Sequence, residues 1–297
     1  MKSELQIYLK ENAIHGSQDF PVGFYEAHLP LHFRNLLVHW HEEMEFTKVQ
    51  KGGLYYDIDQ NRYELKEGDI LLISPDTLHA AHQREDMQAA TTSVVFHLRL
   101  AGLDQEDICT RRFIQPLRQG KLQISPIVTE QDPWYDRINS CFQQMWACRE
   151  VQMPCRELVF KEQVFRLIRY LWELSSGAET QLPRKTLRVY EDKLKLALAY
   201  IQEHYAESIT IAHLAQLCGF SQVHFMNIFK AAVGCTCIEY LVEFRLARAA
   251  LDLQETDHAV TRVALDAGFQ NTSYFNRAFK SQYGLTPTAY RRKMQQQ

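Results

Sequence analysis

The feature that most constrains this chain is a repeat. GFSQVHFMNIFKAAVG, residues 219–234, returns as GFQNTSYFNRAFKSQYG, residues 268–284, with the apolar letters kept and most polar letters changed. Aligned by their ends, Phe225 matches Phe275, Phe229 matches Phe279, Lys230 matches Lys280, Gly234 matches Gly284 and Tyr240 matches Tyr290, always at an offset of 50. Upstream, Leu214-Ala215 with Gly219-Phe220 matches Val263-Ala264 with Gly268-Phe269 at an offset of 49, so one turn carries an extra residue. A duplicated helix-turn-helix accounts for the pattern.

The kept letters have structural reasons. Ala215 and Ala264 are small where a first helix lets a second cross closely, and Gly219 and Gly268 stand where the turn needs a positive φ. Phe225, Ile228 and Phe229 fall three and four apart, as do Phe275, Ala278 and Phe279, so each second helix has a buried stripe. Thr210, Ser221 and the Thr286-Pro287 pair are placed to start helices.

The changed letters face outward. Following Ser221 these are Gln222, Val223, His224, Met226, Asn227 and Lys230; in the second copy they are Thr272, Ser273, Tyr274, Asn276, Arg277 and Lys280. Two like frameworks with unlike outer faces suit the reading of two short DNA sequences, because base edges in the major groove are told apart by the side chains presented to them. Arg277 suits guanine, Asn227 suits adenine, and Lys230 and Lys280 suit phosphates. Double-stranded DNA, in two adjacent major-groove segments per chain, is the expected partner. The net charge of −3, with 12 Lys/Arg against 10 Asp/Glu from Leu187 onward, cannot hold DNA by bulk attraction, so affinity must come from placed contacts.

These segments resemble the AraC/XylS family of bacterial transcription regulators. The resemblance is carried by IAHLAQLCGFS, FKAAVG, FRLARAALDL and VTRVALDAGFQNTSYFNRAFKSQYGLTPTAYR, and it spans roughly residues 190–293. It implies a seven-helix DNA-binding domain in which IEYLVEFRLARAALDL forms a long helix joining two subdomains. It also implies a homodimer that answers to a small-molecule effector, typically a sugar in carbohydrate metabolism, and that meets RNA polymerase if it activates. Val223 and Met226 depart from the polar or aromatic base readers frequent in the family. That directs the first reading helix toward thymine methyls and leans specificity on the second.

The rest of the 297 residues leaves room for further units. From residue 20 to about 100, LLVHWHEEMEFTKV, GGLYYDI, NRYELKEGDILLISP and TTSVVFHLRL read as strands, set apart by Gly52-Gly53, Asp59-Gln60-Asn61 and Gly68-Asp69. Residues 132–150 and 154–175 change to helical period, with Pro154 in a first turn and Leu158, Val164, Phe165, Ile168, Leu171 and Trp172 on an apolar face that needs either the barrel or a second copy to cover it. Cys141, Cys148 and Cys155, seven apart, read as one packed helix face. Seven cysteines without a C-x-x-C pair argue for a reduced cytoplasm and against a disulfide framework, and no run reaches 18 apolar residues, so no membrane partner is expected.

HWHEEMEF places residues 39, 41, 43 and 45 on one face if it is a strand, and EGDILLISPDTLHAAH brings His79 after the next hairpin. The two segments resemble the cupin pattern H-x-H-x(3)-E-x(6)-G followed by G-D, P and H, although Pro75 is not followed by the usual Gly. The resemblance implies that His39, His41, Glu45 and His79 hold a divalent transition metal, or line an effector pocket, or persist as structural polar groups. Phe24, Arg34 and Tyr55 are the candidate pocket walls beside them.

The expected fold is thus α+β multidomain: an N-terminal cupin-like β-barrel followed by helices, then an all-α C-terminal domain with two helix-turn-helix motifs. Its divisions are a sensor domain at 1–130, a helical dimerisation region at 131–176, a linker at 177–187 and a DNA-binding domain at 188–297. The function expected is an effector-responsive DNA-binding regulator with no required cofactor. A metal-dependent cupin enzyme or metal sensor fused to a DNA-binding domain is the alternative, supported by the histidine set alone, since no nucleophile triad or phosphate loop is present.

Overall fold

The computed structural model describes residues 15–29, 35–58, 61–85, 87–102, 107–122, 125–175 and 185–295. Arg34 and most of the linker at 177–187 lie outside them.

Among the described residues eight antiparallel strands build the first unit: β1 (Val22–Leu29), β2 (Asn35–His39), β3 (Met44–Ile58), β4 (Asn61–Lys66), β5 (Ile70–Ile73), β6 (His79–Gln83), β7 (Ala89–Phe96) and β8 (Ile127–Val128). Fifteen-residue β3 is the spine. Its first half pairs with β5 and β7, and Gly53–Ile58 pairs with β4 and β6. Gly52-Gly53 therefore lies within a strand and not, as the sequence suggests, in a turn. Gly52 has a φ of 75°, and a Cβ there would overlap the Gln88 carbonyl, so the pair marks the corner at which β3 changes sheets.

The strand faces sort the side chains. Val49, Leu54, Tyr56, Ile58, Leu71 and Ile73 share an inner cluster, whereas Met44, Phe46, Val94 and Phe96 pack outward against helices. Those helices are α2 (Tyr135–Ala147) and α3 (Arg156–Ser175), which follow a short α1 (Gln115–Arg118). Phe46, Phe96, Phe142 and Phe160 are fully buried between the layers, each contributing about 1.5–3 kcal/mol by leaving water. The apolar face of α3 is therefore covered by the barrel. It is rotated from the expected one: Phe160, Val164, Leu167, Ile168 and Leu171 are buried, while Leu158 and Phe165 are 70% and 44% exposed. Cys141 and Cys148 are buried as expected, but Cys155 precedes the helix and is exposed.

Seven helices follow among the described residues: α4 (Lys185–His204), α5 (Ile211–Leu217), α6 (Gln222–Val233), α7 (Cys237–Glu255), α8 (Val260–Asp266), α9 (Thr272–Tyr283) and α10 (Pro287–Met294). Thr210, Ser221, Asn271 and Thr286 each accept a backbone N–H at a helix start, and Thr236 with Glu239 closes a capping box. Gly219 and Gly268 have φ of 68° and 86°. Ala215, Ala264, Phe225, Phe229, Phe275 and Phe279 are all buried.

The duplication extends beyond the quoted letters. Gln202 donates to the Tyr240 hydroxyl as Gln254 donates to that of Tyr290, and Arg245 reaches the carbonyls of Tyr205 and Glu207 as Arg291 reaches those of Leu253 and His258. Helix α7 joins the copies and is buried on three sides. Tyr240 and Leu241 enter the first subdomain, Leu246, Ala250 and Leu253 the second, and Phe244, Ala247 and Leu251 pack against the barrel. Among the described residues no single helix is long and apolar enough to cross a membrane.

Candidate functional site

The outer face of each reading helix is open. Ser221, Gln222, Val223, His224, Met226, Asn227 and Lys230 are exposed on or beside α6, and so are Ser273, Tyr274, Asn276, Arg277 and Lys280 on α9, with Thr272 half-buried. Val223, Met226 and Tyr274 leave 65%, 41% and 44% of their surface in water, which is where an apolar contact to a base would be made. Two of the residues also have local duties. The Ser221 hydroxyl accepts the His224 N–H, and the His224 ring packs edge-on to Phe220 and Tyr190. In the second copy the Tyr274 ring lies 6.2 Å from that of Phe269.

The second site lies inside the barrel. Strand β2 pairs with β6 through Leu36–Ala81 and His39–His79, and the register slips by one residue between them. This bulge reverses the alternation, so that Leu36 and His39 both face inward while Val38 faces out. The chain then leaves the strand, and His41 returns to the cluster from the bend that links β2 to β3. The expectation that residues 39, 41, 43 and 45 share one strand face is thereby corrected. His39 ends one strand, Glu45 lies at the start of another, and Glu43 stays outside the cluster, meeting His41 Nδ1 from behind with its carbonyl and, at 3.8 Å, its carboxylate.

Four donor atoms, from His39, His41, Glu45 and His79, lie within 4.8 Å of one another. Nε2 of His41 and Nε2 of His79 are both 3.4 Å from Glu45 Oε2. Each imidazole is fixed from behind: Nδ1 of His39, His41 and His79 meets the carbonyl of Leu37, Glu43 and Thr77 at 2.9, 3.0 and 2.8 Å. A carbonyl can only accept, so each Nδ1 carries a proton and Nε2 is the atom turned to the centre, where it donates to Glu45 when protonated and offers a lone pair to a cation when not. The other carboxylate oxygen, Oε1, accepts from Thr47 at 2.7 Å and from Tyr56 at 3.4 Å, and the Thr47 hydroxyl is also 2.7 Å from Ser93 Oγ.

Burial, followed by the charges of His79 and His41, holds the His39 imidazole well below the usual histidine range. Burial opposes ionisation of Glu45, but its hydrogen bonds with His41 and His79 outweigh that and keep the carboxyl well below its usual range. A fully buried carboxylate ringed by imidazole nitrogens is a place for a cation. Three imidazole nitrogens and one carboxylate oxygen, with backbone carbonyls holding the rings, fit a divalent transition metal in donor chemistry and in outer support.

Sequence reasoning missed His15. It is 3% exposed, its Nδ1 is 2.7 Å from the Tyr25 hydroxyl, and its ring lies 5.7 Å from that of His41. Burial, then the neighbouring His41, pushes its pKa down to about 4. No periodicity marks His15; Thr47 was recoverable from strand parity with Glu45, whereas Tyr56, at an odd separation from it, faces inward only because the register of β3 shifts between Val49 and Lys51. Two of the proposed wall residues, Phe24 and Tyr55, fall on the wrong side. Phe24 packs on Trp146 and Phe160 beneath the helices, and Tyr55 lies outside under Arg62. In both cases the neighbouring tyrosine, Tyr25 or Tyr56, is the one that turns inward, because a one-residue shift in a strand changes the face.

A duplicated DNA-reading module joined to a barrel with a buried polar site defines a helix-turn-helix transcription regulator with a ligand-binding domain. The family model of the AraC-like ligand binding domain matches residues 21–187, and that of a helix-turn-helix domain matches residues 195–293. The chain belongs to the AraC family of transcription regulators. It is 25% identical over 295 residues to the uncharacterized HTH-type transcriptional regulator YdeC of Bacillus subtilis (strain 168), covering 96% of both chains. It is also 25% identical over 277 residues to the Melibiose operon regulatory protein of Escherichia coli (strain K12), covering 87% of this chain and 84% of that one. ToxT from Vibrio cholerae O395 superposes with a TM-score of 0.48 at 12% identity, over 94% of this chain and 99% of that one.

Proposed function

We propose that this regulator reads DNA with α6 and α9 and that its barrel reports a divalent transition metal held by His39, His41, Glu45 and His79. The observation that carries the metal reading is the closure of the donor set: four donor atoms within 4.8 Å, from three buried residues and the half-buried His41, with Nε2 of each ring turned toward an ionised carboxylate. When bound, the metal supplies positive charge that the buried Glu45 otherwise draws from its histidines. Thr47 and Tyr56 hold the carboxylate, and the carbonyls of Leu37, Glu43 and Thr77 hold the imidazoles.

A second reading, a sugar effector, is supported by the likeness to a protein named Melibiose operon regulatory protein. Metal analysis of protein purified without chelator separates the two. About one equivalent of transition metal per chain, lost in a His39→Ala/His41→Ala variant, is expected. Metal-free protein whose stability responds to sugars instead would overturn the metal reading.

The DNA-binding form is proposed to be a homodimer, a reading supported by the exposure of Leu158 and Phe165 on the outward side of α3. Sedimentation of the wild type and of a Leu158→Glu/Phe165→Glu variant tests it. A wild type that stays monomeric at micromolar concentration, free and on DNA, would remove it.

A further inference from the structure

We propose that the barrel site is coupled to the first helix-turn-helix through the edge formed by β2 and β6, so that loading of the site and docking of that subdomain reinforce each other. The inference rests on the metal reading of the site and deepens it.

The two strands that carry ligands on their inner face carry docking residues on the outer one. On β2 the bulge turns His39 inward and Val38 outward; on β6 and the residue before it, His79 and Ala81 point in while Leu78 and Ala80 point out. Val38, Leu78 and Ala80 are buried in one cluster with Leu198, Phe229, Val233, Tyr240 and Leu241, the core of the first DNA-reading subdomain. The barrel edge is thus part of that core.

Polar contacts fix the same seam. The Tyr240 hydroxyl donates to the Val38 carbonyl at 3.1 Å, and Lys195 Nζ donates to the Asp76 carbonyl at 2.6 Å. Asp76 in turn donates its N–H to the His41 carbonyl at 2.8 Å, so the turn before His79 is tied both to a ligand residue and to α4. Tyr290 occupies the matching place in the second copy and accepts from Gln254, as Tyr240 accepts from Gln202, yet the barrel contact belongs to Tyr240. The duplication thus makes the two subdomains alike, and the barrel addresses one of them.

The seam is incompletely filled. A cavity of about 210 Å³ lies between the barrel and the end of α6, bounded by Val38, Leu78 and His79 on one side and Ala232, Val233 and Gly234 on the other. This leaves space for the strand ends to shift. A ligand that gathers His39 and His79 must carry Val38 and Leu78 with them, and those residues are seated in the first subdomain. Docking holds the strand ends in place and so preorganises the donors; by linkage, a filled site favours docking equally.

The test alters only the DNA-binding side of the seam. Full-length wild type, Lys195→Ala/Ala247→Glu and the conservative Tyr240→Phe are titrated with cobalt(II), followed by its visible absorption, and hydrogen exchange of residues 36–40 reports undocking. The double variant is expected to exchange faster there and to bind cobalt at least fivefold more weakly, with Tyr240→Phe between it and wild type. Faster exchange with cobalt affinity unchanged within twofold, or raised, would overturn the coupling while leaving the site intact. Absence of cobalt uptake by all three proteins would overturn the metal reading, and the coupling with it.

Discussion

Arg277 and Arg291 lie 14 residues apart in the second DNA-reading subdomain, and the structure gives them opposite jobs. Arg277 is exposed on the outer face of α9, whereas Arg291 donates to the Leu253 carbonyl at 3.3 Å and to the His258 carbonyl at 2.6 Å, pinning the end of α7 and the turn after it. Replacing Arg277 by Ala removes a surface side chain, so stability should change by less than about 0.5 kcal/mol. A lost base contact costs about 1–3 kcal/mol of binding, or about 5- to 150-fold in affinity, and relaxes base preference at one position. Arg291→Ala deletes two charge-assisted hydrogen bonds and leaves carbonyls half-satisfied. A net cost of about 2–4 kcal/mol follows, enough to lower the melting point of a domain of this size by about 10 °C or more. The assay is selection of DNA from a random library by the wild type, anisotropy titration of the selected site, and thermal melts of all three proteins. If Arg277→Ala melts as low as Arg291→Ala, or keeps full affinity and base preference, the division between reading and bracing arginines is wrong.

Three further outcomes are expected. Phe160→Ala should destabilise the barrel and its helices by about 3–5 kcal/mol, while Phe165→Ala, at a position 44% exposed, should cost far less in the monomer; equal losses in denaturant melts would mean that α3 is rotated from the orientation described. In chelator-treated protein, burial holds His15 neutral down to about pH 4 against an unfolded value near 6.5. The stability this confers is complete above pH 6.5 and lost as pH falls toward 4, by up to about 1.4 kcal/mol per pH unit, and His15→Asn should flatten that slope; an unchanged slope would place the titration elsewhere. Glu45→Gln keeps the shape and removes the charge, so metal uptake should fall by at least tenfold with the fold retained by circular dichroism, and undiminished uptake would exclude the carboxylate as a ligand.

The C-terminal half was legible because its signals are local. Gly219 and Gly268, the capping hydroxyls and the paired phenylalanines act within a turn or two of helix, and all of them took the places the repeat assigned. Gln202 with Tyr240 and Arg245 with Arg291 escaped notice because their spacings differ between the copies and their partners are distant carbonyls and hydroxyls. In the barrel the histidine set was readable as composition, but its geometry was not. Strict alternation from Leu36 would send His39 outward; the bulge at Leu37–Val38 turns it in. Tyr55 failed for the same reason, since it has the parity of Glu45 and the register shift between Val49 and Lys51 turns it out; Phe24 failed because nothing local says which strand face meets the helices and which closes on the interior. The phase of α3 depended on the same missing fact, since Phe160 and not Phe165 faces the sheet.

The most direct test of the account compares the affinity of full-length protein for its selected DNA site before and after removal of bound metal, with Glu45→Gln as control. Stripping is expected to shift wild-type affinity by at least fivefold, restored on reloading, and to leave Glu45→Gln unmoved. Wild-type affinity that is the same loaded, stripped and reloaded would contradict a barrel that reports a metal to the DNA-reading helices.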